Sequence, residues 1–335
     1  MKYAFVFLLT ISMLVVGCSA TPETAEPEPP VEEPQETEET VQETAPLTGL
    51  DVEDRLEHPV VMVMVNNHPQ ARPQSGLNRA DIVFEILAEG EITRFAAFYH
   101  SETEGTIGPV RSARPYYMDL AEGMGAVVAH AGGSPAAKER FTQPGYPSLD
   151  GIAGGSQYFT REEFRQAPHN LYTSMEQLLQ GVADNQFTGS EDIPQLTFAD
   201  SSEHMTDGAA AERVDIIYSS LYEIGYAYDA STGQYTRSTQ GETHTDFHTD
   251  RPLSTDNVLV IEAAHQVLDD QGRREIDITG TGQGWLFQKG KAQEIEWRYE
   301  NGFPRPYADG EELPLIPGKT WVNVVPETAT VQFVD

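Results

Sequence analysis

Short apolar runs separated by turn residues dominate the first half of the chain, and such runs are typical of strands buried on both faces. The clearest run is Val-Val-Met-Val-Met-Val at residues 60–65. Two further runs, at 81–88 and 93–99, are joined by Glu-Gly-Glu, which predicts a hairpin turn. Another strand is predicted at 126–131, where Ala-Val-Val-Ala-His-Ala follows a glycine. The folded region should therefore begin near the first of these runs.

Helices are predicted between and after these strands. Pro115 suits the first turn of a helix, and Ser134 followed by proline has the pattern of an N-cap. Residues 173–176, Thr-Ser-Met-Glu, have the spacing of a capping box. The helices predicted from these signals cover 114–124, 134–141 and the segment that follows the capping box. Strands and helices together predict an α+β or mixed α/β N-terminal domain over 56–190.

The pattern changes in the second half of the chain. A polar stretch rich in Ser, Asp, Gly and Pro ends the first half, and residues 191–211 within it are predicted to be a linker. Beyond it, short strands alternate with Gly-rich turns, which predicts a smaller, mostly antiparallel β C-terminal domain over 212–335. The pattern leaves open whether the two halves share one hydrophobic core.

The N-terminus has the pattern of a bacterial secretory signal. A lysine precedes an apolar run at 3–16, which is too short for a comfortable membrane span. The run ends in Val-Val-Gly-Cys, which resembles the lipobox of bacterial lipoproteins, in which the cysteine is acylated and becomes the mature N-terminus. We therefore predict a signal peptide over 1–17, a lipid anchor of the palmitate type at Cys18, and attachment to the extracytoplasmic face of the cell membrane. The alternative is an ordinary signal peptide with an incidental cysteine.

An acidic, proline-rich segment follows this cysteine. Residues 19–50 contain nine Glu, six Pro and no Lys or Arg, so they cannot bury enough apolar surface to fold. We predict that residues 18–55 form a disordered tether. The whole chain has a formal net charge of −32. Nucleic acid is therefore excluded as an expected partner, because binding to phosphates requires positive charge.

Two arginines three residues apart, Arg111 and Arg114, stand out in this acidic chain. They precede a strand and a Gly-Gly-Ser-Pro turn that predicts a helix N-terminus at Ser134. Guanidinium groups and the free N–H groups of a helix N-terminus both bind anions, so we predict an anion-binding centre here. Ser134 is predicted to be an N-cap rather than a nucleophile, because Pro135 lacks the N–H that an oxyanion hole would need. The further candidates for this centre are Arg72, Arg94, His130 and His169.

The two central arginines also have a structural alternative. Arg111 and Arg114 could pair with acidic side chains of the predicted strands, namely Asp81, Glu85 and Glu89. The same Glu85 and Glu89 could instead form the acid/base pair of a hydrolase, which requires a defined separation of the two carboxyl groups across a cleft. Carboxylates that are all paired with arginines would favour a binding protein, whereas an unpaired carboxylate with a raised pKa would favour an enzyme.

The alternating segment His-Thr-Asp-Phe-His-Thr-Asp contains weak candidates for a metal site. In an extended strand its His and Asp side chains share one face, although one strand alone rarely completes a metal shell, and a solvated polar face is the alternative. The four side chains are His244, Asp246, His248 and Asp250. His130 and His169 could likewise titrate, bind metal or be hydrogen-bonded structural histidines. No phosphate-binding loop, dinucleotide fingerprint or zinc-ribbon spacing occurs, so no cofactor is expected.

Several longer motifs carry a family resemblance. In the first half they include Ala-Arg-Pro-Gln-Ser-Gly at 71–76 and Ile-Gly-Pro-Val-Arg-Ser-Ala-Arg-Pro at 107–115. The other matching segments are 80–85, 92–95, His130, 132–134, 169–172, 257–260, Trp297 and 317–321. With these motifs the chain resembles the YerB family of bacterial lipoproteins over nearly all of residues 60–326. The resemblance implies a surface lipoprotein of two parts and carries no catalytic residues with it.

Two functional hypotheses follow from these observations. The first is a lipid-anchored binding or accessory protein of the cell envelope, with a cleft in the first half that binds an anion or a cell-wall glycan. The second is an envelope hydrolase of glycan or phosphodiester bonds that uses Glu85 or Glu89 with Arg111 and Arg114. The sequence indicates no protein partner.

Overall fold

A computed structural model of the protein describes residues 43–53, 56–188, 193–200 and 208–335. The predicted signal peptide, Cys18 and most of the predicted tether lie outside these ranges. The segment Gln42–Asp335 forms one compact unit. Across the described ranges, no helix combines the length and the apolar character that a bilayer span requires.

A twelve-stranded sheet forms the centre of this unit, and both halves of the chain contribute strands to it. Eleven of its strands, from one edge to the other, are Glu311–Glu312, Phe303–Ala308, Lys291–Glu300, Thr281–Gln288, Asn257–Glu262, Thr320–Val325, Ile82–Glu89, Ile92–Tyr99, Val61–Asn66, Val127–His130 and Ser148–Asp150. The twelfth strand, Ala209–Ala210, pairs with Lys291–Glu300.

One strand near the C-terminus joins the two halves. The strand Thr320–Val325 lies between Ile82–Glu89 and Asn257–Glu262 and pairs in parallel with both. All six of its residues are buried, as expected for a parallel strand that is covered on both faces. The two halves therefore share one core, which the sequence pattern had left open.

The apolar run at the start of the fold serves two core layers. Val61, Val63 and Val65 face one hydrophobic cluster, whereas Met62 and Met64 face the other. This alternation explains why the run at 60–65 has no polar positions, since its side chains point to opposite faces of the sheet and both faces are covered. On the first face the central sheet packs against a second, six-stranded sheet. The strands of this second sheet are Glu242–Thr243, Gln234–Thr239, Tyr222–Asp229, Arg213–Ser219 and Thr330–Val334, with Ser254–Thr255 beside Gln234–Thr239.

The remaining elements are short. Three α-helices occur among the described residues, and all three lie where helices were predicted: α1 is Pro115–Gly123, α2 is Pro135–Phe141 and α3 is Met175–Asp184. Three 3₁₀ turns cover Pro69–Ala71, Leu77–Arg79 and Ser156–Tyr158. The small sheets are formed by Thr106–Ile107, Leu171–Ser174 and Thr160–Arg161, by Glu43–Thr44 with Asp51–Val52, and by His265–Val267 with Arg274–Ile276. The described protein is thus mainly β, with less helix than the predicted α/β N-terminal domain implies.

The tether was predicted too long. Its last part forms a small hairpin whose Leu47 is fully buried. Gly49, with a φ of +64°, lies directly against the ring of Phe198. The carbonyl of Thr48 accepts a hydrogen bond from the amide of Gly318 at 2.7 Å. Folding of this part is therefore due to contacts with distant segments, which composition alone does not reveal.

The described part of the predicted linker is also held against the core. Ile193, Leu196 and Phe198 pack on the second hydrophobic cluster. The amide of Ala199 donates to the carbonyl of Leu315 at 2.8 Å.

Candidate functional site

Arg94 and Arg114 converge on one carboxylate. Arg94, in the strand Ile92–Tyr99, donates from Nη2 to Oε2 of Glu89 at 2.8 Å and from Nη1 to the carbonyl of Ser112 at 2.6 Å. Arg114 forms an ion pair from Nη2 to the other oxygen, Oε1, of Glu89. The two arginines are only 4% and 6% exposed. This cluster supports the turn before α1 and leaves Glu89 paired twice.

Glu85 is paired as well, with an arginine from the second half of the chain. Nη2 of Arg237 lies 2.7 Å from Oε2 of Glu85, and both side chains are almost completely buried. The other carboxylate oxygen accepts hydrogen bonds from Asn67 at 3.2 Å, Thr93 at 2.8 Å and Tyr222 at 2.5 Å. Such a fully satisfied buried ion joins the two sheets and is not available as a catalytic acid or base.

The predicted convergence of Arg111 and Arg114 is wrong, and the backbone gives the reason. Val110 bridges to Val65, Ala113 bridges to Gly133, and Arg114 has φ −134° and ψ 158°. The segment is therefore extended, and residues three apart in an extended chain point to opposite sides. Only the second of the two arginines reaches the turn at the start of α2.

Ser134 is an N-cap, as predicted. Its Oγ accepts a hydrogen bond from the amide of Ala137 at 3.3 Å, and Pro135 occupies the first turn of α2. Together with Arg114, the start of this helix lines a groove of about 810 Å³ whose opposite wall is the hairpin His265–Val267 and Arg274–Ile276. The groove presents both signs of charge, including Asp269, Arg273, Arg274 and Glu275.

His130 is a structural histidine. It is 1% exposed, its ring stacks on Phe141 at 3.9 Å between centroids, and Nδ1 donates to the carbonyl of Gly132 at 3.0 Å. Burial lowers the pKa of His130, and the nearby Asp150 opposes this only in part. The neutral ring therefore holds the turn before α2 and does not face a ligand.

Arg111 lies on the other side of its strand, next to His169. Its half-buried guanidinium makes no hydrogen bond or ion pair with any other described residue. The pKa of His169 is lowered by burial first and then by three basic neighbours, His68, Arg111 and Arg165. Four basic groups thus meet in a chain whose net charge is −32.

The hydrogen-bond network fixes the tautomer of His169. The amide of His68 donates to Oδ1 of Asn66 at 3.0 Å, so the Asn66 Nδ2 group is the donor to Nδ1 of His169, at 2.8 Å. The ring proton of His169 must then be on Nε2. The ring of His68 stacks on that of His169 at 4.7 Å, and its own Nδ1 accepts from the amide of Gln70 at 3.2 Å. Both imidazoles are held with Nε2–H available as a donor.

Two further arginines complete the site. Arg72 donates from Nε to Oδ1 and from Nη2 to the carbonyl of Asn67, both at 2.9 Å, so Nη1 keeps its donors. Arg165 donates to the carbonyls of Gln70 at 2.9 Å and Pro73 at 2.5 Å, which ties its loop to the loop of Arg72. We call the group His68, Arg72, Arg111, Arg165 and His169 the basic cleft. It adjoins a cavity of about 520 Å³ lined by Arg72, Arg165 and His169, with Phe164 and Phe247 also in its wall.

Sequence reasoning found three members of the basic cleft and missed two. Arg72, Arg111 and His169 were candidates, although they were assigned to a centre at Ser134. His68 and Arg165 were not considered, and they lie about a hundred residues apart. The one local signal was the Asn-Asn-His-Pro sequence directly after the first strand, a place where polar residues meet the edge of a sheet.

The weak metal candidates do not form a site. His244 is buried, with Nε2 donating to Oε1 of Gln74 at 2.6 Å and Nδ1 in contact with Arg237. Asp246 is buried as well and accepts from the amide of Gly76 at 2.6 Å, whereas His248 and Asp250 are exposed. The segment turns instead of continuing as a strand, so the four side chains do not share a face. Within the described ranges no group of three or more metal-ligating side chains is found.

Comparison with known proteins shows that the two halves of this chain each match a family model. The model described as "Protein of unknown function (DUF3048) N-terminal domain" matches residues 47–188, and the corresponding C-terminal domain matches residues 214–322. The "Putative lipoprotein YerB" of Bacillus subtilis (strain 168) is 40% identical over 285 residues, which cover 84% of this chain and 86% of the relative. The crystal structure of the YerB protein from Bacillus subtilis is similar with a TM-score of 0.79 at 38% identity, covering 87% of this chain and 100% of that one. The matched ranges include every residue of the basic cleft.

Proposed function

The chain belongs to the DUF3048 family, whose members include YerB, and we propose that it is a lipid-anchored protein of the extracytoplasmic face of the cell membrane that binds an anion in the basic cleft. The similarity to the Bacillus subtilis relative, which is named as a lipoprotein, supports the first part of this proposal. The sequence of this chain supports it further, because an apolar run at 3–16 ends in Val-Val-Gly-Cys.

The anchor is tested at Cys18, the single cysteine of the chain. In the full-length protein produced in a bacterium, Cys18→Ala should abolish fatty-acid labelling and move the protein out of the detergent phase, since no other thiol can take the acyl chain. Labelling that persists in the variant would contradict the anchor.

One observation carries the binding proposal. Arg72, Arg111 and Arg165 take part in none of the ion pairs that the described residues form with one another. Arg111 and Arg165 lie close enough to His169 to lower its pKa, and Arg72 lines the same cavity as His169. Ten of the other twelve arginines in the same ranges do form such pairs, and the two exceptions are Arg161 and Arg251. The carboxylate whose charge acts on Arg72 is Glu85, and Glu85 is already paired with Arg237. The chain has 53 acidic residues and 21 basic ones, so arginines that lack an ion pair of their own are unexpected unless an anion is supplied from outside.

The contacts available to an anion are of the strong kind. Arg111 offers a complete guanidinium fork, Arg72 offers Nη1, and His68 and His169 offer Nε2–H donors. Hydrogen bonds between charged groups contribute about 1.5–3 kcal/mol each. The negative charge of the whole protein opposes the approach of an anion, but salt screens that repulsion beyond about 8–10 Å. Local contacts therefore decide the affinity once the anion has entered.

The hydrolase hypothesis receives no comparable support. Its two candidate carboxylates, Glu85 and Glu89, are both paired with arginines. Pairing of this kind is what a binding protein with structural carboxylates would show, and it leaves neither group poised to take or give a proton.

Calorimetric titration of the full-length protein with inorganic phosphate tests the proposal. Arg111→Met should weaken phosphate binding about tenfold or more, because it removes the arginine of the basic cleft whose guanidinium makes no hydrogen bond or ion pair with another described residue. Arg213→Met is the matched control, since it removes the same charge from an exposed site on the second sheet. Absence of phosphate binding to the natural protein, or equal weakening by both variants, would contradict an anion site in the basic cleft.

A further inference from the structure

Two phenyl rings lie in the wall of the cavity beside the basic cleft. Phe164 is on a loop of the first half and Phe247 is on a hairpin of the second half. The rings stack on each other at 4.8 Å between centroids with planes only 10° apart. Phe164 nevertheless remains 48% exposed. An aromatic side chain that is half exposed at the edge of a polar cavity is a common means of holding the apolar face of a ligand.

The ring pair is held rigidly. The guanidinium carbon of Arg165 lies 5.3 Å from the centroid of Phe247 and 6.0 Å from that of Phe164. The amide of Phe247 donates to the carbonyl of Gln74 at 2.8 Å. Arg165 in turn is fixed by backbone carbonyls of the neighbouring loop, including that of Pro73. A surface fixed before binding loses little entropy when a ligand is added, which favours affinity.

We propose, on the basis of the anion binding proposed above, that the ligand of the basic cleft is a sugar phosphate. Its phosphate contacts Arg111, Arg72 and His169, and its pyranose ring packs against the exposed ring of Phe164. The cavity volume of about 520 Å³ is within the range of about 300–1,000 Å³ that is usual for small-molecule sites.

The polar groups of the cavity wall suit hydroxyl groups. Gln70 and Gln166 line the cavity, are exposed, and their side-chain amides form no hydrogen bond with another described residue. An amide presents a donor and an acceptor side by side, which is the pattern that a sugar hydroxyl can pair with. A nucleotide base would be held best between two aromatic planes, but the two rings here stack on each other and leave no slot between them.

Titration calorimetry with four ligands tests this proposal on the full-length protein. The ligands are inorganic phosphate, glycerol 1-phosphate, N-acetylglucosamine 1-phosphate and adenosine 5′-monophosphate. We expect the sugar phosphate to bind about fivefold to tenfold more tightly than glycerol phosphate, which has the same charged group without a ring. Phe164→Ala and Phe164→Leu should both remove this difference, because each removes the aromatic face on which the sugar ring packs. Leu221→Ala is the control, because Leu221 is 68% exposed and lies in the turn between two strands of the second sheet.

The outcomes separate the two proposals. If all phosphates bind with equal affinity, the sugar assignment is wrong and the anion site stands. If adenosine monophosphate binds more tightly than the sugar phosphate and depends on Phe164, the ligand is a nucleotide and the sugar assignment is again wrong. If no phosphate binds at all, the anion site itself is wrong. Phe164→Leu keeps an apolar side chain on the loop, so a loss seen in both variants is a loss of the aromatic face and not of folding.

Discussion

Arg111 and Arg114 are three residues apart, yet they belong to regions of opposite chemistry. Arg114 shares the carboxylate of Glu89 with Arg94 and is 6% exposed. Arg111 is half-buried, lies beside His169 and has no acidic partner among the described residues. The first region is neutralised within the protein. The second retains its positive charge.

The position of carboxylates, and not the clustering of arginines, separates the arginines that are neutralised within the protein from those that keep their charge. A buried guanidinium must be compensated, because an unpaired buried charge costs several kcal/mol. Once compensated by a carboxylate it has little to offer a ligand. A half-exposed guanidinium whose neighbours are also cations keeps a local positive potential that a ligand can neutralise. The buried pair of Arg237 and Glu85 is the clearest example of a compensated guanidinium. The basic cleft is the clearest example of arginines that keep a positive potential.

The largest effect is expected from removing the charge of a carboxylate that is paired with a buried arginine. Glu85→Gln should lower the free energy of unfolding by about 3–5 kcal/mol, because Arg237 is then left as a buried charge without a partner. Chemical denaturation of the full-length protein measures this loss. The control is Glu275→Gln, which neutralises an exposed carboxylate. A loss no larger than in the control would show that the Glu85–Arg237 pair is not what holds the two sheets together.

The next test compares the two neighbouring arginines directly. Arg114→Met should lower the free energy of unfolding by about 2 kcal/mol, less than the loss of Glu85, because Glu89 keeps Arg94 and is one-third exposed. Arg111→Met should change it by less than about 0.5 kcal/mol, since no protein contact is lost. Thermal unfolding of both variants measures the loss in the free energy of unfolding. Equal losses in the two variants would remove the distinction between the two regions.

Local sequence patterns predicted the fold elements well. The run at 60–65 corresponds to the strand Val61–Asn66, and the proline at the start of each of two predicted helices is in the first turn of α1 and α2. The family resemblance is confirmed by both family models. The joining of the halves could not be predicted, because it depends on the parallel pairing of Thr320–Val325 with a strand more than two hundred residues earlier.

Three residues of the basic cleft were among the candidates from the sequence, but their position in the fold was not predicted. The sequence drew attention to Arg111 because arginines are rare in this chain, yet it could not show that the segment is extended and turns Arg111 away from Ser134. The other basic groups of the cleft come from two loops on either side of Arg111 in the sequence, at His68 and His169. Contacts over such separations leave no spacing for a motif to reveal.

A smaller effect should distinguish geometry from charge within the basic cleft. Arg111→Lys keeps the positive charge but loses the planar pair of donors that matches a phosphate. Phosphate affinity should fall about threefold, compared with about tenfold for Arg111→Met, and the unfolding temperature should not change. Calorimetric titration measures the first quantity and thermal unfolding the second. An affinity equal to that of the natural protein would show that Arg111 contributes only charge.

The smallest expected effect concerns pH, and its sign follows from the hydrogen bonds of His169. Burial and the neighbouring His68, Arg111 and Arg165 lower the pKa of His169 in the free protein. A bound anion would by itself raise that pKa, so protons would be taken up on binding and affinity would increase as the pH falls through the pKa of the bound state. Asn66 opposes this increase. Its Nδ2 group already donates to Nδ1, and its Oδ1 is held by the amide of His68, so a proton on Nδ1 would face another donor.

The affinity for sulfate, which stays dianionic throughout, should therefore change by less than about twofold between pH 7.5 and 5.5. In Asn66→Ala the opposing donor is gone, His169 can take up a proton, and the affinity should increase about threefold over the same interval. Titration calorimetry of both proteins at the two pH values makes the comparison. A clear increase in the natural protein would mean that His169 binds the anion in its charged form. The basic cleft would then hold its ligand by histidine protonation, and the contrast with the carboxylate-paired region would depend on pH. If both proteins give a flat response, the neutral state of His169 is set by its cationic neighbours alone, and Asn66 serves only to orient the ring.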